Sequence, residues 1–473
     1  MSAARMSRPV FHLSPRRHWM NDPNGLVYVD GVWHVFFQHN PEGIDWGNMS
    51  WGHATSTDLE HWREHPVALR HRDGEQIYSG SVVADRDGSL TAVYTSTYET
   101  GLQAQSRAVS RDGGYTWMMD PANPMLDRGS TDFRDPKLVR YTSADGHARW
   151  ILVAVEAVER RVLIYTSDDL RQWEEAGSFG PIGEPAVVWE CPDLVRLPLD
   201  GDDAGARWVL LLSTNPVGDN AHPAGSAMHY VVGDFDGHTF TADRDGLARA
   251  DYGRDMYAGV TFNSAPGGEA VMLGWMSNWR YAHAVPSTPW RGAMSLPRSL
   301  SLRTIDGAPR LVQSPASFVE DRLATAASET SARSFALSGH SLLELRWEPS
   351  VTGVLGLRLQ GDCDNFAEIV HDPDMGVLTV TRAGSAATAL HPDFPSTSVA
   401  PLLRSGGGHL RVSLDGPLLE VFLGEGEVAV SNLVTLGIGP VTATVHTAAA
   451  HAVVQTIAVD VEDAEGGAAS AAA

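Results

Sequence analysis

A short segment of the form Ser/Thr-x-Asp, turn, aromatic recurs along the first half of the chain and limits its fold more than any other feature. Its copies end at Trp62, Trp117, Trp173 and Phe240. These aromatic residues lie 55, 56 and 67 residues apart, and each interval holds several short β-rich runs. About four short strands per unit at this period are typical of a β-propeller blade. With a closing unit near residues 251–302, the pattern predicts five blades.

The alternative is an accidental spacing, because Asp-Gly and Asp-Leu turns are ordinary hairpin chemistry. A single copy would carry no weight. Three copies with matching tryptophans favour a true repeat.

The pattern changes after Thr304. Residues 305–335 lack strand-like runs and hold a helix-compatible piece, Ser317–Ala327, so we interpret them as a linker. Period-two alternation follows, with Leu343, Leu345 and Trp347, then Leu410, Val412 and Leu414, between polar neighbours. One buried and one wet face predict an antiparallel sandwich. We therefore expect an all-β chain, with a propeller at 1–304, a β-sandwich at 336–462 and a disordered tail at 463–473.

Charge and composition exclude several classes of partner. The net charge of −23 argues against binding to nucleic acid or to an anionic membrane, since both require a basic surface. No apolar run could span a membrane, and residues 1–15 do not resemble a secretory signal, so we expect a cytoplasmic protein, with export by another route as the alternative. Two cysteines form neither a disulfide framework nor a metal cluster. Nothing in the sequence indicates an oligomeric state.

Three acidic motifs stand out against the repeat: Trp19-Met20-Asn21-Asp22-Pro23-Asn24-Gly25, Phe133-Arg134-Asp135-Pro136 and Trp189-Glu190-Cys191-Pro192-Asp193. Taken singly, Asp-Pro and Asn-Gly are turn formers. Their phase changes that interpretation, because Asp22 and Asp135 are 113 residues apart and Asp135 and Glu190 are 55 apart, about two periods and one. Equivalent positions on innermost propeller strands converge on the central axis, so these carboxylates are expected to meet.

Converging carboxylates suit glycoside hydrolysis. One must be ionised to attack or stabilise the oxocarbenium-like centre, and another must be protonated to release the leaving oxygen. A neighbouring carboxylate raises the pKa of the group that keeps its proton. Nearby tryptophans would offer flat faces to a sugar.

The motifs, taken in order, resemble glycoside hydrolase family 32, which includes invertases, inulinases, levanases and fructan exohydrolases. The resemblance covers nearly the whole chain. Besides the acidic motifs, it rests on Phe36–Pro41, Trp46–His53, Tyr78–Ser81, Asp251–Ala258, Gly274–Met276 and Trp290–Arg298.

The resemblance implies a five-bladed propeller followed by a β-sandwich, and it assigns roles. Asp22 would be the nucleophile, Glu190 the acid/base, and Asp135 with Arg134 would hold the fructose hydroxyls. The positions that match the fructose pocket of the family are Asn21, Gln38, Trp46, Ser79, Asp255 and Trp275. The resemblance implies no metal and no cofactor, a sugar substrate, and no catalytic residue in the sandwich. We expect an exo-β-fructosidase that accepts sucrose, inulin and levan.

Three other functions remain open at this point. A hydrolase that cleaves arabinan or xylan would also use three carboxylates, but the Trp19–Gly25 motif weighs against it. The same site could transfer fructose to another sugar. A non-catalytic sugar-binding propeller would need one of the three carboxylates to be missing, and all are present.

Overall fold

The computed structural model of the protein describes residues 6–85, 87–218, 224–325, 328–330, 332–347, 353–403, 408–447 and 453–458. Within these ranges the chain is built almost entirely of strands, so the all-β class is confirmed. The predicted disordered tail at 463–473 lies outside the described residues. No helix in the described ranges combines the length and apolar character needed to cross a membrane.

The N-terminal sheets contain the following strands and two short 3-10 helices: β1 His18–Val29, β2 Val32–Asn40, β3 Ser50–Ser56, β4 Arg63–Leu69, β5 Glu75–Ala84, β6 Leu90–Tyr98, β7 Gln103–Ser110, β8 Met118–Met119, β9 Phe133–Thr142, β10 Ala148–Glu156, β11 Arg161–Ser167, β12 Glu174–Phe179, β13 Val187–Leu199, β14 Asp202–Pro216, β15 Ala227–Phe235, β16 Phe240–Ala242, β17 Ala248–Arg249, β18 Tyr257–Thr261, the helix Pro266–Gly268, β19 Ala270–Trp275, the helix Ala282–Ala284, β20 Trp290–Arg291, β21 Arg298–Ile305 and β22 Ala308–Pro315.

These strands form four sheets among the described residues. Their orders are β20-β1-β2-β3-β4, β5-β6-β7-β8, β9-β10-β11-β12, and a larger sheet β16-β15-β14-β13-β21-β19-β18 with β17 on β15 and β22 on β21. The strands β1, β5, β9, β13 and β18 contact one another in sequence, and β18 contacts β1 again. A closed ring of inner strands with sheets radiating from it is the arrangement of a β-propeller.

The repeated segment is one turn, used in four places to connect the third strand of a unit to its fourth. Asp58, Asp169 and Asp236 each accept hydrogen bonds from the backbone N–H groups two and three residues further on. Asp112, in the copy that contains two glycines, accepts them from three and four residues further on. The aspartate is kept in each copy because it caps the turn. The repeat predicted from the sequence is therefore confirmed.

The middle strands of the sheets are apolar without a break because both of their faces are buried. In β10, Ile151, Val153 and Val155 pack towards β13 and β14, whereas Leu152 and Ala154 pack in the core that contains Leu138 and Leu163. Alternate side chains thus enter two different cores between neighbouring sheets.

The C-terminal domain contains the following elements: β23 Ser328–Thr330, β24 Ser334–Leu337, β25 His340–Arg346, β26 Leu355–Gln360, β27 Phe366–Asp372, β28 Val377–Ala383, α2 Ser385–Leu390, β29 Ser396–Pro401, β30 His409–Asp415, β31 Leu418–Leu423, β32 Val428–Leu433, β33 Val441–Thr447 and β34 Val453–Ala458, and it is preceded by α1 Ser317–Thr325. They form two antiparallel sheets, β23-β34-β25-β30-β31-β32 and β24-β33-β26-β27-β28-β29. Leu343, Leu345, Leu410, Val412 and Leu414 lie in the core between them. The sandwich predicted from period-two alternation is what the structure contains.

Two expectations from the sequence are wrong. Residues 308–315 are not free of strand, because Asp306 and Gly307, both at positive φ, close a two-residue hairpin that pairs β22 with β21. The face of β30 expected to be wet is buried, with Arg411, Ser413 and Asp415 all below 5% exposed. That face packs against the propeller and α1, so we call the six-stranded sheet containing β30 the propeller-facing sheet.

His12 lies at the centre of this interface. Its Nδ1 is 2.7 Å from Asp415 Oδ2 and its Nε2 is 3.0 Å from Glu420 Oε1. His340 also bonds to Asp415, at 2.6 Å, and Arg298 pairs with Glu420. Burial alone would lower the pKa of His12, but its bonds to the two carboxylates outweigh burial and raise the pKa to about 9.

We therefore expect the free energy of unfolding to fall as the pH rises above neutrality. A histidine whose pKa is raised in the folded state contributes stability that is complete below its unfolded pKa of about 6.5 and is lost as the pH passes about 9. Denaturant unfolding between pH 6 and 10 measures this loss. His12→Gln should flatten the curve over that window, whereas His61→Gln, on an exposed turn, should leave it unchanged. Parallel curves for wild type and His12→Gln would contradict this account.

Candidate active site

Every innermost strand of the propeller is interrupted by a β-bulge near its N-terminal end. The register shifts fall between Met20 and Pro23 in β1, between Ile77 and Gly80 in β5, and opposite Val153–Val155 in β9. In β13 the shift falls between Glu190 and Asp193, and in β18 between Tyr257 and Val260. A bulge turns a side chain out of the regular alternation, so at these points the inner strands direct polar groups along the propeller axis.

The Asp-Pro and Cys-Pro pairs of the motifs form these bulges. Pro23, Pro136 and Pro192 fall within or at the edge of the interruptions, where a residue without an N–H costs no ladder bond. Asp135 and Cys191 have φ values of 61° and 47°, a conformation that side chains other than glycine rarely adopt. The motifs are therefore not surface turns, the alternative interpretation of the Asp-Pro pairs.

The bulges surround an open pocket of about 310 Å³. Its lining comprises Asn21, Asp22, Gln38, Trp46, Tyr78, Ser79, Gln103, Arg134, Asp135, Glu190, Asn215 and Trp279. Eight of the ten residues proposed from the sequence are in this set. All three carboxylates of the motifs belong to it, so the sequence period correctly brought them together.

Asp22 is held by neutral hydrogen-bond donors. Ser79 Oγ donates to its Oδ2 at 2.9 Å, and Asn21 Nδ2 donates to its Oδ1 at 3.1 Å. Trp19 Nε1 donates to Asn21 Oδ1 at 2.7 Å and so orients that amide. The thiol of Cys191 lies 3.5 Å from Asp22 Oδ2. Both carboxylate oxygens are thus fixed in position.

Asp135 and Glu190 share a cation. Arg134 Nε lies 3.3 Å from Glu190 Oε1 and 4.0 Å from Asp135 Oδ2. The backbone N–H of Cys191 donates to Asp135 Oδ2 at 2.9 Å. The other oxygen of Glu190, Oε2, accepts a hydrogen bond from the hydroxyl of Tyr257. Glu190 is therefore clamped between a guanidinium and a phenol.

Burial and mutual repulsion control the protonation of the cluster. Burial, followed by the charge of Glu190, raises the pKa of Asp22 to about 6 against the opposing hydrogen bonds. Burial also raises the pKa of Asp135, although the charge of Arg134 opposes the rise. The Cys191 thiol, buried beside three carboxyl groups, has a pKa well above its usual value and remains protonated. With a pKa of about 6, Asp22 is mostly ionised at neutral pH and available to attack.

Asp255 does not have the place in the pocket that the family resemblance implied for it. Asp255 is fully buried and does not line the pocket. Its carboxylate is bound by Arg382 Nη1 at 2.5 Å, by the hydroxyl of Tyr281 at 2.7 Å and by the backbone N–H of Leu433 at 2.7 Å. Since Arg382 and Leu433 belong to the C-terminal domain, Asp255 is part of the domain interface.

Trp275 also lies behind the pocket instead of lining it. Its side chain is 1% exposed and packs against Trp279, with ring centroids 4.8 Å apart. Trp279 stacks on Trp19 at 6.1 Å and contributes its face to the pocket. Trp275 thus supports the tryptophan that forms the wall.

Sequence reasoning did not assign a site role to five further residues: Tyr78, Gln103, Asn215, Tyr257 and Trp279. Tyr78 and Tyr257 belong to the segments Tyr78–Ser81 and Asp251–Ala258 that carry the family resemblance, and Trp279 lies three residues after the segment Gly274–Met276. Gln103 starts β7 and Asn215 is the residue before the end of β14, so they lie on a third and a second strand, where the repeat predicts no axial position.

Comparison with known proteins agrees with this geometry. Residues 12–315 match the glycosyl hydrolases family 32 N-terminal domain, and residues 310–449 match the family 32 C-terminal domain. A levanase from Bacillus subtilis is 37% identical to this chain over 90% of the chain's length. The match spans 66% of the levanase, just under two thirds of that enzyme's length. An extracellular exo-inulinase from Aspergillus niger is 36% identical, covering 90% of this chain and 88% of its own.

Solved structures show the same fold. The exo-inulinase of Aspergillus awamori superposes with a TM-score of 0.85 at 31% identity, covering 96% of this chain and 98% of its own. A β-fructofuranosidase of Schwanniomyces occidentalis, solved with fructosyl-erythritol bound, superposes with a TM-score of 0.83 at 27% identity, covering 95% and 97%.

The raised pKa of Asp22 implies that this side chain destabilises the folded protein at neutral pH. The cost begins as the pH rises above about 4 and is complete above about 6, because the unfolded carboxyl ionises first. Asp22→Asn should therefore be more stable than wild type at pH 8, by on the order of 2 to 3 kcal/mol, with the difference shrinking towards pH 4. Thermal unfolding at pH 8 and pH 4.5 measures both values. The exposed Asp168→Asn is the control, and a difference independent of pH would contradict the assignment.

Proposed function

The chain belongs to glycoside hydrolase family 32, and from this premise we propose that it is a retaining exo-β-fructosidase. It hydrolyses O-glycosyl bonds and releases terminal β-D-fructose from sucrose and from fructo-oligosaccharides and fructans of the inulin and levan types. The observation that carries the proposal is the arrangement of Asp22, Asp135 and Glu190 on three inner-strand bulges, around one pocket with a tryptophan wall.

Asp22 is the nucleophile. It attacks C2 of the terminal fructose while Glu190 protonates the glycosidic oxygen that leaves, so a fructosyl ester forms on Asp22. Glu190 then removes a proton from water, which attacks C2 and breaks the ester. The bonds from Ser79 and Asn21 support this role, because they fix both oxygens of Asp22 without a cation in direct contact.

Asp135 and Arg134 stabilise the transition state. The guanidinium lies between two carboxylates at the edge of the pocket, 4.0 Å from Asp135 and 3.3 Å from Glu190. In this position the pair grips the sugar hydroxyls more strongly as positive charge develops on the ring, which accelerates the reaction selectively. Asn21, Gln38, Ser79 and the tryptophans at the wall and rim complete the binding of one fructose unit.

The shape of the pocket supports attack from the chain end. Its floor is formed by the bulged inner strands, and its rim carries Trp46, which is 47% exposed and meets Tyr78 edge-on at 6.1 Å. A terminal unit fits such a recess, with the next unit placed at the aromatic rim.

We propose that the enzyme acts in the cytoplasm on sucrose and short fructo-oligosaccharides, although the similar exo-inulinase is named as extracellular. Cell fractionation tests this location.

The catalytic domain has five blades in this proposal. The nine-stranded sheet comprises two of them, one containing β13 to β17 and one containing β18, β19, β21 and β22. In the part of the chain that the structure describes, these two blades pair through Leu199 and Leu302 alone. The ring of five inner strands supports the count. Residues 1–304 then form the propeller and 336–462 the sandwich, while the connection 305–335 adds strand β22 to the last blade and strand β23 and the start of β24 to the sandwich sheets.

Free fructose released from sucrose, sucrose-6-phosphate, inulin and levan tests the proposal directly. We expect release from one or more substrates and none in Asp22→Asn, which retains the fold and sugar binding. Proton NMR should detect the β-anomer first, and fructose should be the first product from inulin. Initial oligomers would contradict exo action, initial inversion would contradict the nucleophile, and transfer without net release would identify a transferase.

The pH dependence of kcat/KM distinguishes the two carboxylates. The acid limb should lie near pH 6, because Asp22 must be ionised and its pKa is about 6. In Glu190→Gln the proton donor is lost, so the basic limb should disappear while the acid limb persists. An aryl fructoside with a good leaving group keeps this variant measurable. Glu159→Gln, on the surface, should retain both limbs, and a basic limb that persists in Glu190→Gln would contradict the assignment of Glu190 as the acid.

A further inference from the structure

The segment just before Tyr257 runs along the C-terminal domain instead of along the propeller. Strand β32 is the last strand of the propeller-facing sheet. Residues 251–255 run along its free edge, where the N–H of Tyr252 donates to Ala429 O at 2.9 Å and the N–H of Asp255 donates to Ser431 O at 3.0 Å. The approach is close enough that a Cβ on Gly253 would lie 1.9 Å from Ser431 O. The sandwich therefore fixes the path of this segment.

A buried ion pair ends the contact. Arg382, on β28 of the other sandwich sheet, donates through Nη1 to Asp255 and through Nη2 to the hydroxyl of Tyr281 at 2.7 Å. Tyr281 in turn donates to Asp255, and Arg382 Nε donates to Phe394 O at 2.7 Å. Arg382 and Asp255 are both fully or nearly fully buried, at 2% and 0% side-chain exposure. The planar guanidinium thus holds Asp255 in one orientation.

Asp255 lies two residues before Tyr257, whose hydroxyl bonds to the acid/base Glu190. Two peptide units span at most about 7 Å, so a fixed Asp255 leaves Tyr257 little freedom. On the other side of Tyr257, the N–H of Ala258 donates to Ser213 Oγ at 2.8 Å. Tyr257 is held between these anchors, with its hydroxyl on Glu190 Oε2.

We propose that the C-terminal sandwich is part of the catalytic apparatus, with Arg382 acting as a positioning residue that sets Tyr257, and through it Glu190, at the reacting oxygen. The inference rests on the proposed role of Glu190. It assigns to the second domain a function in the reaction beyond covering the propeller.

The energetics favour a positioning role. A buried ion pair adds little net stability compared with apolar residues of the same size, because the cost of removing both charges from water offsets their attraction. Its directional hydrogen bonds instead select one arrangement. A displacement of about 1 Å at a reacting group can cost roughly 100-fold in rate, so a rigid link from the sandwich to Tyr257 has catalytic value.

A double-mutant cycle on kcat separates positioning from general support. Arg382→Lys keeps the charge but loses the fork that reaches Asp255, Tyr281 and Phe394 together. We expect Arg382→Lys and Tyr257→Phe each to lower kcat roughly 10- to 100-fold with little change in KM, as for loss of a hydrogen bond to a charged group. In the Tyr257→Phe background, Arg382→Lys should cost less than about 2-fold, because the link that it supports is already absent.

The pH profile gives a second readout. Because the Tyr257 hydroxyl bonds to Glu190 Oε2, Tyr257→Phe and Arg382→Lys should both move the basic limb of kcat/KM, and in the same direction. Arg411→Lys is the matched control, because Arg411 is another buried sandwich arginine but pairs with Glu320 of α1, away from the pocket. It should change neither kcat nor the limb.

If Arg382→Lys does not fold, Tyr281→Phe replaces it in the same cycle, since it removes one bond to Asp255 and one to Arg382. Costs that multiply in the double variant, or a basic limb that stays in place, would overturn the inference while leaving the enzyme an exo-β-fructosidase. Absence of fructose release by the wild type would instead overturn the proposed function itself.

Discussion

The closed ring of inner strands imposes a constraint from which the site follows. Strands that meet around one axis crowd their ends together, and a regular ladder would direct every second side chain sideways into a neighbouring sheet. Each inner strand is interrupted by a bulge at one end, and the interruptions carry Asp22, Ser79, Asp135, Glu190 and Tyr257 or their direct neighbours. A bulge removes some of the hydrogen bonds between neighbouring strands. In the strands that carry Asp22, Asp135 and Glu190, a proline at the bulge reduces that loss, because proline has no N–H to leave unpaired.

The three carboxyl groups occupy one small volume, so the surroundings of each must differ for them to act differently. Neutral donors surround Asp22, which leaves its charge available for attack once it ionises. Asp135 and Glu190 share the guanidinium of Arg134, and Glu190 also binds a phenol. Placing these carboxyl groups together lowers the stability of the folded protein. Burial raises the pKa of Asp22 and Asp135, so their ionisation costs free energy in the folded state.

The repeat in the sequence was sufficient to predict that the three carboxylates converge, because they lie about whole periods apart on inner strands. Asp22, Asp135 and Glu190 could be placed together from their spacing, and the tryptophan-ended turns were recognisable because each needs the same capping aspartate. Asp255 could not be placed in this way. Its orientation depends on Arg382, which lies 127 residues further along the chain and carries no local signal of that contact. The same limit explains Arg411 and Asp415, whose alternation predicted a wet face because a period of two does not distinguish solvent from a second domain.

The two domains depend on each other through the edge of strand β32. An unpaired edge such as that of β32 invites association with other chains unless it is covered, and residues 251–255 of the propeller cover it. The dependence is reciprocal, since among the described residues no propeller strand pairs with 251–255, and this segment leads directly into Tyr257. A sandwich that only shielded the propeller would need apolar contact alone. The buried charges that pair across this junction, Arg298 with Glu420 and Asp255 with Arg382, instead specify one register between the domains. That register places a phenol on Glu190.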